Sequence, residues 1–419
     1  MIVPRKPLTL SRALTRTLPL AGLAAVALAT AACTPNDPAA AASVATDGGS
    51  ASATGPTTVT VSSTADACTL SATEAPSGSL VFKVTNDGPD VTEFYLLAED
   101  GLRIVSEVEN IGPGLSREVM LTAKPGTYQT ACKPGMVGDG IRAPFTVTGS
   151  GDDVSAAGAL ADQVAAATAA YAAYVKDQAE QLSSGTAALV TAYKAGDDAK
   201  ARDLYAATRA HWERIEPVAE SFGDLDPRMD LREADLEKGQ EWTGWHLLEK
   251  DLWQPDAAAN GGTAYTPLTA AQRTQYADRL LADTQELSDR VQADDFATTI
   301  DAAAMGNGAK GLLDEVASGK VTGEEEIWSH TDLWDFQANV DGARIAFEDL
   351  RDVVTAKDAD LADRLDTRFD ALQTLLDGYR DGDGFVAYTA LSDAQVKELA
   401  AAVDALSEPL SRLTAAVVL

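Results

Sequence analysis

The spacing of apolar residues changes character along the 419-residue chain. An apolar run near the N-terminus is followed by a stretch without large apolar residues, then by short alternating runs, and finally by long helical periodicities. Alternation with a period of two is typical of half-buried strands, whereas apolar residues three and four positions apart mark one face of a helix. The pattern therefore predicts a β domain followed by an all-helical domain.

The strand-like pattern occupies residues 57–149. Clusters of turn residues, such as those at 86–89 and 112–114, separate runs that are rich in β-branched residues. These runs lie at 57–61, 79–84, 91–97, 115–121, 127–131 and 143–147. Short strands at this spacing predict a small β-sandwich of about seven strands.

Residues 155–419 have an Ala-rich helical pattern. The predicted helices run through 157–183, 185–195, 198–222, 241–254, 268–292, 298–318, 322–354, 357–379 and 391–417. The connections are short and carry Gly, Asp or Pro, which is typical of antiparallel neighbours in a bundle. The segment is too long for one four-helix bundle, so we expect two packed bundles.

The N-terminus predicts export. Basic residues precede an apolar run at 18–29, which is too short to span a bilayer and ends in small residues before Cys33. Residues 1–32 are therefore predicted to be a lipoprotein signal peptide with Cys33 as the lipid-modified residue, although Thr30 stands where Leu is usual. A secretory signal cleaved nearby is the alternative. Residues 33–56 predict a flexible tether, so we expect the protein on the periplasmic or extracellular face of the cytoplasmic membrane.

The composition and net charge limit the classes of molecule that the protein can bind. Hydrophobic residues make up 45% of the chain, which is enough for a packed core, and the net charge is −31. A strongly acidic surface repels nucleic acid and anionic lipid, so nucleic-acid binding is excluded. The same charge either concentrates cations near the protein or simply keeps an exported protein soluble.

Two cysteines remain once the lipid-modified residue is set aside. An exported compartment permits disulfides, so a Cys68–Cys132 bridge is the default prediction. The alternative is a metal site built from Cys132, Met136 and acids such as Glu93 or Glu109.

All three His and all six Trp residues lie in two windows, 211–253 and 328–334. Such rare side chains, gathered in two segments of a domain otherwise built from Ala and Leu, indicate a constructed site. A purely structural aromatic cluster is the rival interpretation.

The first window carries acids at helical spacing. Glu213, Glu216 and Glu220 share one helix face, where like charges repel unless they are solvated or bridged by a cation. His246 and Glu249 lie three positions apart and project from one face of a helix. Metal sites in helical bundles use this pairing to supply one nitrogen and one oxygen ligand, although the short motif alone is a weak signal.

The second window places Asp332, Asp335 and Asn339 on one stripe of a helix beside large apolar residues. Acids in a buried helix are costly unless they are paired or bound to a metal. The chain lacks the H-E-x-x-H motif of zinc peptidases, which counts against peptidase chemistry.

Together these segments resemble the imelysin family, and within it the EfeO-type components of bacterial iron uptake systems. The family's G-x-H-x-x-E signature matches at Gly244, His246 and Glu249, and the stretches 205–220 and 329–342 are also similar. The resemblance covers nearly everything after residue 57. It implies a cupredoxin-like β-sandwich followed by two packed four-helix bundles with a metal site at the motif.

The resemblance also implies a set of metal ligands. Carried onto this chain, with Asp335 as the fallback for the last member, the set is His246, Glu249, Glu213, Glu216, Asp230 and Asp332. Such a set suits Fe(III) or Fe(II), with zinc and manganese as alternatives, and is unfavourable for copper. Since no His precedes residue 211, we expect the β domain to lack a blue-copper site.

The function implied by this resemblance is capture of iron outside the cytoplasmic membrane and its delivery to an iron permease. A haem peroxidase of the same uptake system is the second implied partner. An imelysin-type metallopeptidase is the main alternative, and it requires a metal-activated water and a general base. A module that binds a metal-laden polyanion is a third interpretation.

Overall fold

The computed structural model describes residues 56–149 and 159–418. The predicted signal peptide 1–32, Cys33 and the tether as far as residue 55 lie outside the described residues. Within the described part, a β-sandwich precedes an all-helical domain, so the predicted fold class is confirmed. In the same ranges, no helix combines the length and the apolar character that crossing a bilayer requires.

The β domain consists of two sheets packed face to face. Its strands are β1 (Thr57–Ser63), β2 (Cys68–Leu70), β3 (Glu74–Pro76), β4 (Gly78–Asn86), β5 (Thr92–Leu97), β6 (Ile104–Ile111), β7 (Ser116–Ala123), β8 (Gly126–Pro134) and β9 (Ile141–Thr148). One sheet has the order β2-β1-β4-β7 and the other β3-β9-β8-β5-β6. Phe82, Phe94 and Phe145 meet between the sheets, with centroid distances of 5.0 and 5.3 Å from the Phe82 ring.

Cys68 in β2 and Cys132 in β8 are joined by a disulfide, which links the two sheets. The six predicted strands correspond to β1, β4, β5, β7, β8 and β9. Strands β2 and β3 were missed because three residues are too short to show alternation. Strand β6 was missed because Glu107 and Glu109 interrupt its apolar pattern, in which Val108 and Ile111 are buried.

The helices are α1 (Ala159–Ala195), α2 (Asp198–Glu213), α3 (Glu216–Glu220), α4 (Asp226–Met229), α5 (Trp245–Trp253), α6 (Ala270–Gln292), α7 (Ala302–Ser318), α8 (Asp332–Lys357), α9 (Ala359–Asp377), α10 (Asp393–Leu410) and α11 (Leu413–Val418). A short hairpin of two strands with two residues each, β10 (Arg380–Asp381) and β11 (Gly384–Phe385), follows α9. Helix α1 packs against α2, α6 and α8, whereas α7 and α9 also pack on α8 and α10 packs on α7 and α9. One continuous apolar core runs through both groups, and α8 belongs to both.

Three local differences from the predicted helices have clear causes. Helix α1 continues through Gly185, where a Cβ would come within 2.8 Å of Thr208, so this Gly allows close packing of α2 and does not end the helix. Pro217 separates α2 from α3, as its missing N–H requires. The predicted helix 322–354 begins only at Asp332, because His330 has a positive φ of 58°.

The contact between α8 and the break after α2 gives a test of the packing. At Gly342 a Cβ would overlap the carbonyl oxygen of Arg214 and lie 3.0 Å from Leu312. We expect Gly342→Ala to lower the free energy of unfolding by about 1–3 kcal/mol in a denaturant titration. Gly311→Ala is the matched control, because nothing lies within 4 Å of its Cβ position. The control should be neutral or raise stability by up to ~1 kcal/mol, and equal effects of the two substitutions would contradict the packing described here.

Candidate metal centre

The centre lies where α5 begins, and the geometry of Gly244 sets its position. Gly244 has a φ of 91°, and a Cβ there would overlap the carbonyl oxygen of Met229. Only Gly allows this approach, which brings Asp230, the residue after α4, beside His246 in the first turn of α5. The Gly of the G-x-H-x-x-E signature therefore has a direct structural role.

His246 is 1% exposed and is surrounded by carboxylates. Its Nε2 atom lies 3.4 Å from Asp230 Oδ1 and 3.4 Å from Glu325 Oε1. Its Nδ1 atom lies 3.3 Å from Glu249 Oε2 and 3.9 Å from Glu326 Oε1. The four acids thus flank both nitrogens of one imidazole ring.

The segment between α7 and α8 supplies Glu325 and Glu326, and Glu249 holds that segment in place. Glu249 Oε1 accepts hydrogen bonds from the backbone N–H groups of Trp328 (3.0 Å) and Ser329 (2.7 Å). Asp332 Oδ1 accepts from the N–H of Glu326 at 3.1 Å. The fixed loop can therefore present two carboxylates to an imidazole on another element.

Arg209 of α2 is fully buried at the middle of the acids. Its fork binds both oxygens of Asp230, and Nη2 also donates to Glu325 Oε1 at 2.8 Å. Ion-pair distances join it to Glu213 (2.6 Å) and Glu326 (2.7 Å). One guanidinium thus neutralises part of the charge of four carboxylates.

A second cation, Lys320, lies in a 3-10 turn that follows α7. Its Nζ donates to Glu213 Oε2 (2.5 Å), Glu216 Oε2 (2.9 Å) and Glu315 Oε2 (3.3 Å). Asn339 Nδ2 also donates to Glu213 and Glu216. Both acids therefore lie in a group next to the His246 group.

The electrostatic environment splits the acids into two classes. Burial opposes ionisation of Asp230 and Glu325. Arg209 and His246 nevertheless lower the pKa of Asp230 well below its usual value, and Lys320, His246 and Arg209 lower that of Glu325 to about 2. Burial, followed by repulsion from neighbouring carboxylates, raises the pKa of Glu326 and Asp335 well above the usual range. The buried cations are therefore too few to stabilise the ionised form of every acid in the interior.

Buried carboxylates also outnumber buried cations in this part of the structure. Within the described residues, the buried carboxylates of the two groups are Glu213, Glu216, Asp230, Glu249, Glu325, Glu326, Asp332 and Asp335. They face the fixed cations Arg209 and Lys320 and the ring of His246. Buried carboxylates without counter-charge are costly, so this donor set fits a bound metal cation.

Coordination geometry points to the His246 group. Atoms that lie within 4.8 Å of one another belong to Asp230, His246 and Glu325 in one set and to His246, Glu249 and Glu326 in another. His246 Nε2 is buried without a hydrogen-bond partner. A cation held by one imidazole and several carboxylates is of the hard or borderline class.

The six ligands predicted from the sequence are divided by the structure. His246, Glu249 and Asp230 come together. Glu213 and Glu216 form a set with Asp230 but are engaged by Lys320, and Asp332 supports the backbone of Glu326.

Sequence reasoning missed four members of the two groups: Glu325, Glu326, Arg209 and Lys320. The run of three Glu at 324–326 was placed inside the predicted helix 322–354 without a role in the site. The signal available for its role was Gly323 before the run, which has a φ of 74° and ends the preceding turn.

Two tryptophans bond to acids of the centre, Trp212 through its ring nitrogen and Trp328 through its backbone N–H. Trp212 Nε1 donates to Asp230 Oδ2 at 2.7 Å. Trp242 and Trp328 pack with ring centroids 5.9 Å apart, and Lys250 lies over both rings. The constructed site and the aromatic cluster, treated as rivals from the sequence, are thus parts of one arrangement.

The alternative metal site in the β domain lacks a free thiolate, because Cys132 is in the disulfide. Met136 is 44% exposed in the turn after β8. Glu93 and Glu109 accept hydrogen bonds from the hydroxyl of Tyr95 at 2.8 and 3.2 Å. This cluster is therefore held by a tyrosine hydroxyl between its acids.

Both the β domain and the helical domain match known protein families. Residues 167–413 match the family model described as imelysin, and residues 22–147 match the model of a cupredoxin-like domain. The chain is 36% identical over 349 residues to the iron uptake system component EfeO of Yersinia pestis, covering 83% of this chain and 87% of that protein. It is 36% identical over 340 residues to the protein of the same name from Escherichia coli (strain K12), covering 80% and 85%.

One solved structure also aligns with the chain. It is that of a putative iron-regulated protein A precursor from Parabacteroides distasonis ATCC 8503, with 14% identity and a TM-score of 0.46 over 61% of this chain and 95% of that one. These values are too low for a conclusion about the fold.

The role of Arg209 as internal counter-charge can be tested by Arg209→Met. The substitution leaves several buried carboxylates without their shared partner, so we expect a loss of about 3–5 kcal/mol in the free energy of unfolding without metal. Arg344→Met is the matched control, since Arg344 pairs with Glu348 and Asp370 on the surface. The control should cost below about 1 kcal/mol in the same denaturant titration, and a similar small loss for Arg209→Met would contradict the assigned role.

Proposed function

The chain belongs to the imelysin family and carries a cupredoxin-like domain before the imelysin domain, and on this premise we propose that it is the iron-binding component of an iron uptake system. Iron is the cargo, held by His246, Asp230, Glu249, Glu325 and Glu326. The observation that carries the proposal is the buried imidazole flanked by four acids, in an interior where buried acids outnumber buried cations.

The chemistry of the donor set supports iron over softer metals. Carboxylate oxygens predominate, one nitrogen is present and no thiolate belongs to the group, a combination that suits Fe(III) or Fe(II) and is unfavourable for Cu(I). Zinc and manganese fit the same donors less selectively. The 36% identity to proteins named as iron uptake system components supports iron as the metal of this proposal.

The fixed cations suit a carrier that must release what it binds. Because Arg209 already neutralises part of the carboxylate charge, the centre gains less from an added cation than an unpaired set of acids would. Departure of iron leaves the acids paired with a guanidinium, so the empty centre stays folded. Transfer of iron to a permease, with a haem peroxidase as second partner, follows from the role in an uptake system.

Location outside the cytoplasm belongs to the same proposal. A lipid on Cys33 would hold the domains at the outer face of the cytoplasmic membrane, with residues 33–56 as the tether. The proximity of the centre to a membrane permease is then set by the tether length.

Removal of the imidazole tests the site. His246→Ala should weaken iron binding roughly a hundredfold or more, because loss of groups that merely support metal ligands already costs 10–100-fold. Binding is measured by isothermal titration with chelated iron of known stability and by elemental analysis. His211→Ala is the matched control, since His211 is half-buried and bonds to Gln178 outside the acid groups.

Retention of iron affinity in His246→Ala, with His211→Ala as a folded comparison, would refute the assignment. A parallel loss of helical content would leave the comparison uninformative about ligands, so Glu249→Gln is measured alongside. This variant keeps the shape of the side chain and should also weaken iron binding.

Proton release provides an independent test. Burial and Arg209 oppose protonation of His246, but the adjacent carboxylates of Asp230, Glu249 and Glu325 outweigh them and raise its pKa well above the usual value. The metal-free ring is therefore protonated at neutral pH, and iron must displace that proton. Affinity should rise with pH through the neutral range and beyond the usual His pKa of about 6.5.

The measurement is titration of iron at pH 7 in buffers of different ionisation enthalpy. We expect about one proton released per iron bound, since His246 must give up its ring proton to bind the metal. Heats that do not depend on the buffer would contradict this protonation state.

A further inference from the structure

The metal centre is closed to solvent, so an ion can reach it only if part of the chain moves. His246, Glu249 and Glu326 are at most 1% exposed, and Glu325 and Asp230 are 7% and 9% exposed. One of the segments that cover these side chains must therefore open when an ion enters and when it leaves.

Two irregular segments border the centre, and the first of them, residues 324–331, is firmly held. Glu249 accepts hydrogen bonds from the backbone N–H groups of Trp328 and Ser329 in this segment. Its buried residues are Glu325, Glu326 and Trp328. Displacement of this segment would break buried hydrogen bonds, which makes its opening costly.

The second segment, residues 231–242, leads from α4 to α5 and is called the strap below. None of its twelve residues is buried. Glu233 accepts a hydrogen bond from Lys250 Nζ at 2.6 Å, and Arg232 lies 3.4 Å from a carboxylate oxygen of Glu325. Ion pairs of exposed side chains contribute little to stability, and segments with few buried contacts open locally at low cost. The strap is therefore the segment that can open.

The strap can move as one unit, because its two ends are close together. Trp242 Nε1 donates a hydrogen bond to the carbonyl oxygen of Leu231 at 2.7 Å. A loop of this length whose ends meet has the form of an Ω-loop. Asp230 immediately precedes the strap, and His246 lies four residues after it. Movement of the strap therefore acts directly on the distance between these two ligands.

The β domain holds the strap near its middle. The backbone N–H of Gly138 donates a hydrogen bond to Glu237 Oε1 at 2.9 Å. Gly138 lies in the turn 135–140 between β8 and β9, so this bond joins the two domains. A hydrogen bond from a backbone N–H to a carboxylate is charge-assisted, and it restrains the strap without burying it.

We propose that the strap is the gate through which iron enters and leaves the centre, and that the bond between Gly138 and Glu237 is a latch by which the β domain keeps it closed. The inference rests on the proposed function, because the ion that passes the gate is the iron held at His246. It gives the β domain a role that requires no metal in that domain, which is to set the rate of iron exchange.

The latch acts on rates and leaves the affinity unchanged. The bond between Gly138 and Glu237 lies outside the set of ligands, so it favours the closed strap equally with and without iron. Its loss raises the open fraction of both forms by the same factor. Association and release then become faster together, and the dissociation constant, which is the ratio of their rates, stays the same.

The test is the release rate of Glu237→Ala, which lacks the acceptor of the latch. Fe(II) bound under anaerobic conditions is mixed in a stopped-flow instrument with an excess of a chromogenic Fe(II) chelator. We expect release to be roughly three- to tenfold faster than from the wild-type protein, the factor that corresponds to one hydrogen bond of ordinary net strength. The dissociation constant from an equilibrium titration should agree with the wild-type value within about twofold.

Glu99→Ala is the matched control. Glu99 is an exposed glutamate of the β domain, and within the described part of the chain its side chain has no bonded partner, although its carbonyl oxygen accepts from Gln129. The substitution makes the same change in charge and size as Glu237→Ala. It should leave the release rate at the wild-type value.

Amide hydrogen exchange of the metal-free protein tests the gate without iron. In Glu237→Ala, exchange should become faster in residues 231–242 and stay at the wild-type rate in residues 324–331, because only the strap loses a restraint. The two segments are compared by mass spectrometry of their peptides, with Glu99→Ala measured alongside.

The outcomes distinguish this inference from the proposed function. A Glu237→Ala protein that releases Fe(II) at the wild-type rate overturns the inference, and so does a change of hydrogen exchange in residues 324–331 that leaves the strap unaffected. Unchanged iron binding in His246→Ala contradicts the proposed function alone. If the wild-type protein binds no iron, the proposed function fails, and hydrogen exchange still decides whether the β domain restrains the strap.

Discussion

The structure of the helical domain depends on one electrostatic constraint: a set of buried carboxylates that exceeds the buried cations available to neutralise it. Eight acids in two adjoining groups face Arg209, Lys320 and His246. Each charge removed from water must be compensated by a partner, a proton or a metal. Arg209 compensates with five N–H donors in a rigid fork, which explains how one side chain can join four acids from three segments of the chain.

The backbone features around the centre follow from assembling those acids. Gly244 lets α5 begin against Met229, Pro217 separates α2 from α3 and so places Glu216 after the break, and the loop before α8 is held by Glu249. Each feature replaces regular helix by a turn at a place where a carboxylate has to point inward. Regular helices alone would put these acids on separate outward faces, so the centre requires the irregular segments.

The sequence could predict those parts of the site that depend on helical periodicity. His246 and Glu249 are three apart on α5, and the Glu213 and Glu216 pair was identified by the same spacing, although Pro217 places the second acid in another helix. Glu325 and Glu326 lie in a loop, where periodicity carries no information. Lys320, the partner of Glu213 and Glu216, was not predicted either, because nothing in the sequence marks a lysine in the turn after α7 as buried. The order of a β domain followed by a helical domain was predictable because it also depends on the period of the apolar pattern. Strand β6 was not predicted, because Glu107 and Glu109 interrupt that pattern.

The contact between the β domain and the helical domain also contains charged and polar side chains. Arg117 of β7 pairs with Asp314 of α7 at 3.1 Å, and Asn307 donates to the carbonyl oxygen of Met120 at 2.8 Å. A cavity of about 690 Å³ lies beside this contact and is lined by Glu109 of the β domain and Glu315 of α7, among other residues. Glu315 is also the third partner of Lys320. The ammonium group therefore bonds both to the acids Glu213 and Glu216 and to Glu315, which lines the cavity at the domain contact.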